Sequence, residues 1–133
     1  MSQTNELEIM ERIALDLEHV EESLASSFNT GAEDFNALIR PLSAAGGKRL
    51  RAQLCLLIAN AGTSVERQRI RIAEAVEMLH LATLINDDVL DQAEIRRGED
   101  TIHMHKGNKV AILSGDYLFA KAFQIVSEMP DMK

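Results

Sequence analysis

The sequence predicts an all-α fold, and three observations carry that prediction. Pro41 and Pro130 are the only prolines in 133 residues. Val, Ile, Thr and the aromatics nowhere alternate with the two-residue period of a half-buried strand. Apolar residues recur instead at steps of three and four, the spacing of one helix face. With 46% apolar and 26% charged residues, the balance is that of a globular protein with one core.

The first helix is expected over about 7–28, where Leu7, Met10, Ile13, Ala14, Leu17, Val20, Leu24 and Phe28 form the apolar stripe. Glu8, Glu11, Asp16, Glu18, Glu21 and Glu22 fall on its wet side. Asn29-Thr30-Gly31 reads as a turn. A second helix follows over about 34–45, bent or divided by Pro41, and Gly46-Gly47 breaks the chain. The third, about 48–61, is apolar nearly all round after its first turn. Gly62-Thr63-Ser64 closes it, with Ser64 placed to cap the next helix. The fourth, about 65–90, has a middle of mostly Ala, Leu, Ile, Val and Met, which marks a buried helix. A charged connection over 91–108 leads to a last, largely apolar helix over about 109–128. Five helices this apolar cannot cover one another, so more protein is expected to pack against them.

Net charge is −7, which argues against a nucleic-acid partner, since that would require a basic face. Cys55 is the single cysteine. It sits in an apolar run and reads as a small buried hydrophobe. The polar, acidic N-terminus does not resemble a signal peptide. No apolar stretch reads as long enough to span a membrane. The expectation is a cytoplasmic protein and not an integral membrane one.

The fourth helix delivers Asn86-Asp87-Asp88-Val89-Leu90-Asp91 at its end. Asp87 and Asp91, four residues apart, share a face and repel unless a cation sits between them. The helix C-terminus also disfavours negative charge. A hard cation that takes carboxylate oxygens, completed by water and phosphate, fits, and Mg²⁺ is the expected ion. Arg96 and Arg97 follow closely and suit phosphate. Upstream, Gly46-Gly47-Lys48-Arg49-Leu50-Arg51 places Lys48 and Arg51 three apart at the start of a helix, where free amides and two cations would make an anion site. His80 lies two turns before Asp87 on the same face. One acidic cation site beside several cationic groups suggests a ligand set with two diphosphates, one bound through metal and one bound directly.

The order Gly-Gly-Lys-Arg-Leu-Arg, Glu77-Met78-Leu79-His80, Asn86-Asp87-Asp88-Val89-Leu90-Asp91, Arg96-Arg97-Gly98, Gly107-Asn108 and Gly115-Asp116-Tyr117-Leu118 resembles the trans-polyprenyl diphosphate synthases. The resemblance runs over about 46–123. It implies an isoprenoid synthase helical bundle and the head-to-tail condensation of isopentenyl diphosphate with an allylic diphosphate. It implies Mg²⁺ on Asp87 and Asp91, and catalytic roles for Asp87, Asp91 and Arg96. Lys48, Arg51, His80 and Arg97 match the isopentenyl diphosphate positions, and Arg96 the allylic diphosphate position. Asp88 is expected to act indirectly, behind the metal ligands or through water. Leu79, Ala82 and Thr83 precede Asp87 without an aromatic plug, which favours a medium or long product. The resemblance also makes a homodimer the expected assembly.

Departures accompany it. Ala52 stands where many relatives have Pro, and Asn86 where His is frequent. No second aspartate-rich motif follows Gly98; Asp116 and Asp131 stand alone. Residues 1–133 therefore read as the N-terminal part of a single synthase domain, inactive alone. The alternative is a short non-catalytic subunit that regulates a heteromeric synthase. A class I terpene cyclase shares the metal-site logic, but the Gly-Gly-Lys-Arg-Leu-Arg cluster speaks against it.

Overall fold

The computed structural model describes residues 3–44 and 47–130. Gly46, half of the expected glycine break, and Asp131 lie outside the described residues. The architecture is helical: α1 (Gln3–Ser27), α2 (Glu33–Ala44), α3 (Leu50–Ala61), α4 (Glu66–Leu90), α5 (Ile102–Lys106) and α6 (Asn108–Ser127). Between α4 and α5 a two-residue hairpin pairs β1 (Ile95–Arg96) antiparallel with β2 (Glu99–Asp100). This hairpin and α5 lie in the stretch expected as a charged connection. Two-residue strands and a five-residue helix are too short to show periodicity.

α4 is the axis. It packs chiefly against α6, with α1 and α3 on other sides. Small residues along the two central helices, Ala75 and Ala82 on α4 and Ala111 and Ala122 on α6, are buried. At Gly115 the approach is closest: a Cβ there would stand 2.5 Å from Asn86 Oδ1. Around this pair lie Val20, Leu24 and Phe28 of α1, Leu56 of α3, and Met78, Leu118 and Ile125, all at most 2% exposed. Each such side chain contributes roughly 1.5–3 kcal/mol through removal from water.

Several local expectations change. Leu7 and Met10 on the apolar stripe of α1 are 61% and 66% exposed, because α1 meets the core only from Ile13 onward. Asp16, assigned to the wet side, is instead buried and ion-paired to Arg69 of α4, with Arg69 Nε donating to Oδ2 at 2.7 Å and Nη2 to Oδ1 at 3.0 Å. Asn60 of α3 donates to the same carboxylate at 3.2 Å. α2 runs through Pro41, which is exposed, rather than dividing there. α4 begins after Val65, one residue later than Ser64 would set it, and no side chain caps it. Cys55 is half-buried, and that burial pushes its thiol pKa up. α6 is long and apolar enough to cross a membrane by length and composition, contrary to the sequence expectation. In this fold it is the main packing partner of α4. The expected surplus of apolar surface is present: Leu50, Leu54, Leu57 and Ile58 on α3, and Phe123 and Val126 on α6, are largely exposed.

The Asp16–Arg69 pair generates a stability prediction. Burial pushes the Asp16 carboxyl up, but the hydrogen bonds from Arg69 and Asn60 and the Arg69 charge outweigh it and hold the pKa below the usual range. A depressed carboxylate contributes stability above its unfolded pKa of about 4 and loses it as pH falls through the folded value. Asp16→Asn strands Arg69, so it is expected to cost about 3 kcal/mol near pH 7. It should also flatten the acid limb of a denaturation series. Equal unfolding midpoints for variant and parent at neutral pH would remove the pair from the account.

Candidate functional site

The hairpin positions the site. Arg97 and Gly98 form its two-residue turn with φ of 51° and 81°. Positive φ at both central positions is the requirement of a type I′ turn. Thr101 fastens the base, its hydroxyl donating to Ala93 O at 2.8 Å and its N–H to Glu94 O at 3.0 Å. The two arginines then go to different places. Arg96 turns to α4, where Asp88 accepts from Nε at 2.8 and 2.9 Å and pairs with Nη2 at 2.6 Å. This hydrogen bond to Asp88, reinforced by the charges of Asp88, Asp87 and Asp91, raises the Arg96 pKa against its partial burial. Arg97 reaches the turn before α3. Its guanidinium lies 3.5–3.9 Å from where a Cβ on Gly47 would stand, and Gly47 has φ of 71°. The left-handed backbone calls for glycine at that position, while the guanidinium would leave a Cβ in ordinary contact.

Arg97 helps line a cavity of about 160 Å³ with Lys48, Arg51, Glu77 and His80, closed by Arg49 and Leu50. Arg51 Nη1 meets His80 Nε2 at 3.2 Å. An arginine can only donate, so Nε2 accepts and the proton sits on Nδ1. Burial, and then the Arg51 charge, hold His80 below its usual pKa. The imidazole is thus neutral at pH 7, with cations around it. Four of the residues assigned to a directly bound diphosphate, Lys48, Arg51, His80 and Arg97, come together here.

Two details differ from the sequence reading. Lys48 lies in the turn ahead of α3, not in its first helical turn, because the helix begins at Leu50. The start of α3 is not an array of free amides either, since Ala52 N–H donates to Glu77 Oε1 at 3.0 Å. The cavity is made by side chains.

Asp87 and Asp91 are exposed at the end of α4, neither in a salt bridge among the described residues. Asp88 is 5% exposed and turned inward, as an indirect role requires. Two hard carboxylates on one open face could hold a divalent cation that takes oxygen ligands. A second acidic group, Asp16, His19 and Glu66, has ligand atoms within 4.8 Å of one another. Its Asp16 oxygens are already taken by Arg69 and Asn60.

Of the residues expected along the product path, Thr83 is exposed and Leu79 half-buried, but Ala82 is fully buried and faces the core. The open strip of α4 is therefore Leu79, Thr83 and Asp87. A larger apolar cavity, about 630 Å³, lies between α2 and α6, lined by Phe35, Leu38, Val110, Leu113 and Tyr117. It contains none of the assigned residues.

Sequence reasoning passed over Arg49 and Glu77. Glu77 is 3% exposed. An acidic residue in an otherwise apolar helix must be matched when buried, and that signal was available in the run from Ala73 to Ile85.

Residues 32–133 match the sequence profile of the polyprenyl synthetase family, and the chain belongs to that family. It is similar to the octaprenyl diphosphate synthase of Escherichia coli, 32% identical over 125 residues, covering 94% of this chain and 39% of that protein. It is 40% identical over 111 residues to the nonaprenyl diphosphate synthase of Mycobacterium tuberculosis, covering 83% of this chain and 33% of the relative. Among solved structures it superposes on a polyprenyl synthase from Caulobacter crescentus complexed with calcium and isoprenyl diphosphate. The TM-score is 0.85 at 34% identity, covering 93% of this chain and 38% of the other. The fold is thus the helical bundle of the isoprenoid synthases. The chain spans about a third of the length of these relatives.

The contact between Asn86 and Gly115 sets the position of the aspartate end. Among the described residues, Asn86 Oδ1 is buried without a hydrogen-bond partner. Gly115→Ala drives a methyl group into it and is expected to cost about 1–3 kcal/mol. In the double variant with Asn86→Ala most of that cost should return, as a chemical-denaturation cycle would read. Additive losses would mean that the two residues do not share the contact.

Proposed function

We propose that this chain carries the diphosphate-handling part of a polyprenyl diphosphate synthase, which condenses isopentenyl diphosphate with an allylic diphosphate and gives a medium- or long-chain product. One observation carries the reading. A single end of the fold carries two groups of opposite charge, joined by one hairpin: an exposed aspartate pair and a separate cationic cavity. Two diphosphates can then be bound at once and told apart, one through metal and one by side chains.

Each residue has a role that follows from its chemistry. Lys48, Arg51 and Arg97 supply charge and hydrogen bonds to the diphosphate of the isopentenyl substrate, Arg97 by its fork and Lys48 as a point charge. His80 adds a neutral donor through Nδ1–H. Arg96, held by Asp88, points charge at the departing allylic diphosphate. Asp87 and Asp91 would hold Mg²⁺, which supplies the pull that stabilises negative charge on the leaving group. The open strip at Leu79 and Thr83 leaves room for a growing chain. The alternative, a regulatory subunit without chemistry, gains support from the exposed apolar faces of α3 and α6 but gives no reason to retain the ligand set. Those faces support association with further protein, a second copy included.

In the full-length protein with Mg²⁺, isopentenyl diphosphate and an allylic diphosphate, product should form. Asp87→Ala should slow formation by about 10²-fold or more. Residues 1–133 alone should bind pyrophosphate and give no product. No condensation by the full-length protein would overturn the assignment. Pyrophosphate should also raise the His80 pKa, because a bound anion favours the imidazolium. The His80 ring resonances followed by NMR across pH 5–8 would then titrate at higher pH with ligand than without.

A further inference from the structure

Arg49 is the one basic residue of the Lys48–Arg51 segment that the cavity does not use for charge. Its side chain is 9% exposed, and its backbone is left-handed, with φ of 53° and ψ of 40°. That conformation is uncommon for a residue with a Cβ and persists where the surroundings fix it. The surroundings here are specific. Nε donates to Glu21 of α1 at 2.6 Å, Nη2 to the Ser43 carbonyl at the end of α2 at 2.6 Å, and Nη1 to Glu77 of α4 at 3.5 Å. Glu77 in turn accepts from Ala52 N–H of α3. One guanidinium and one carboxylate thus tie four helices to the short segment that carries Lys48 and Arg51.

We infer that Arg49 and Glu77 are positioning residues for the cationic cavity. Arg49, drawn inward by Glu77, Glu21 and Ser43, forces the left-handed turn that sends its neighbours Lys48 and Arg51 the other way, toward His80 and Arg97. Glu77 fixes the first turn of α3 and so the height of Arg51 against His80, three residues further along α4. It also places a buried negative charge behind Lys48, Arg51 and Arg97, which eases their mutual repulsion before an anion arrives. The pair touches no substrate; it sets where the touching residues stand. This inference rests on the reading of the cavity as the isopentenyl diphosphate site.

Steady-state kinetics on the full-length protein tests it. Arg49→Gly removes the guanidinium while suiting the left-handed backbone, so the turn itself is not put at risk. Glu77→Gln keeps an oxygen for Ala52 N–H but loses the charge that holds Arg49. Both should raise KM for isopentenyl diphosphate roughly 10-fold or more, since misplacement of a binding group costs heavily. KM for the allylic diphosphate should stay within about twofold. Glu77→Ala should be worse than Glu77→Gln. An unchanged KM for isopentenyl diphosphate, or an equal rise in both KM values, overturns the positioning role. Lys48→Ala separates the two levels of the argument. If it raises that KM while Arg49→Gly and Glu77→Gln do not, the cavity reading stands and positioning fails. If it leaves KM unchanged, the cavity reading itself fails.

Discussion

Three carboxylates on α4 enter the interior, and the rest of the molecule is arranged to meet them. Glu74 is fully buried and accepts from Ser23 and Ser27 of α1, with Arg71 at 2.8 Å. Glu77 takes Ala52 N–H and Arg49, and Asp88 takes Arg96. A buried ionised carboxylate without a partner is too costly to keep. Each of these therefore dictates what lies beside it: α1 at Glu74, the start of α3 at Glu77, and the hairpin at Asp88. Apolar contact drives the helices together without direction. The three acids add the direction, fixing which element sits at which height along α4.

This explains how much could be read beforehand. The helices were legible because their apolar spacing is long and regular. The candidate ligands Asp87, Asp91, Lys48, Arg51 and Arg97 could be singled out because they stand in motifs with their own chemistry. What could not be read was the inner side of the same motifs. Arg49 has the same charge as Lys48, and only the left-handed backbone and the positions of Glu21, Ser43 and Glu77 reverse its direction. Asp16 looked like one more acid on a wet face until Arg69, 53 residues later, was placed against it. Leu7 and Met10 continued a stripe whose partner surface does not extend to them. Each of these depends on contacts distant in sequence, which a local period cannot contain. Ala82 was misplaced for a smaller reason: on a helix one residue is about 100°, enough to turn a side chain from open strip to core.

Asp87 and Asp88 show the same angle put to use. The two are adjacent and chemically identical, yet Asp88 is buried on Arg96 and Asp87 is exposed. The inward acid holds an arginine that would otherwise be free to neutralise the outward pair. With Arg96 engaged on Asp88, the Asp87 and Asp91 carboxylates stay exposed and, on the proposed function, open to a cation. Raising the charge count at this end without that division would close the site on itself.

The two diphosphate sites proposed above are unequal in how much of them this chain completes. Among the described residues, the cationic cavity is shaped by ties to Glu21, Ser43, Ala52, Glu77 and the hairpin. The aspartate pair, by contrast, stands on an open face with Thr83 and Leu79 beside it. On the proposed function, the chain holds a finished pocket for the isopentenyl diphosphate and one wall of the allylic site. Relatives three times as long have ample chain for another wall. The exposed apolar flanks of α3 and α6 are surfaces against which it could be built.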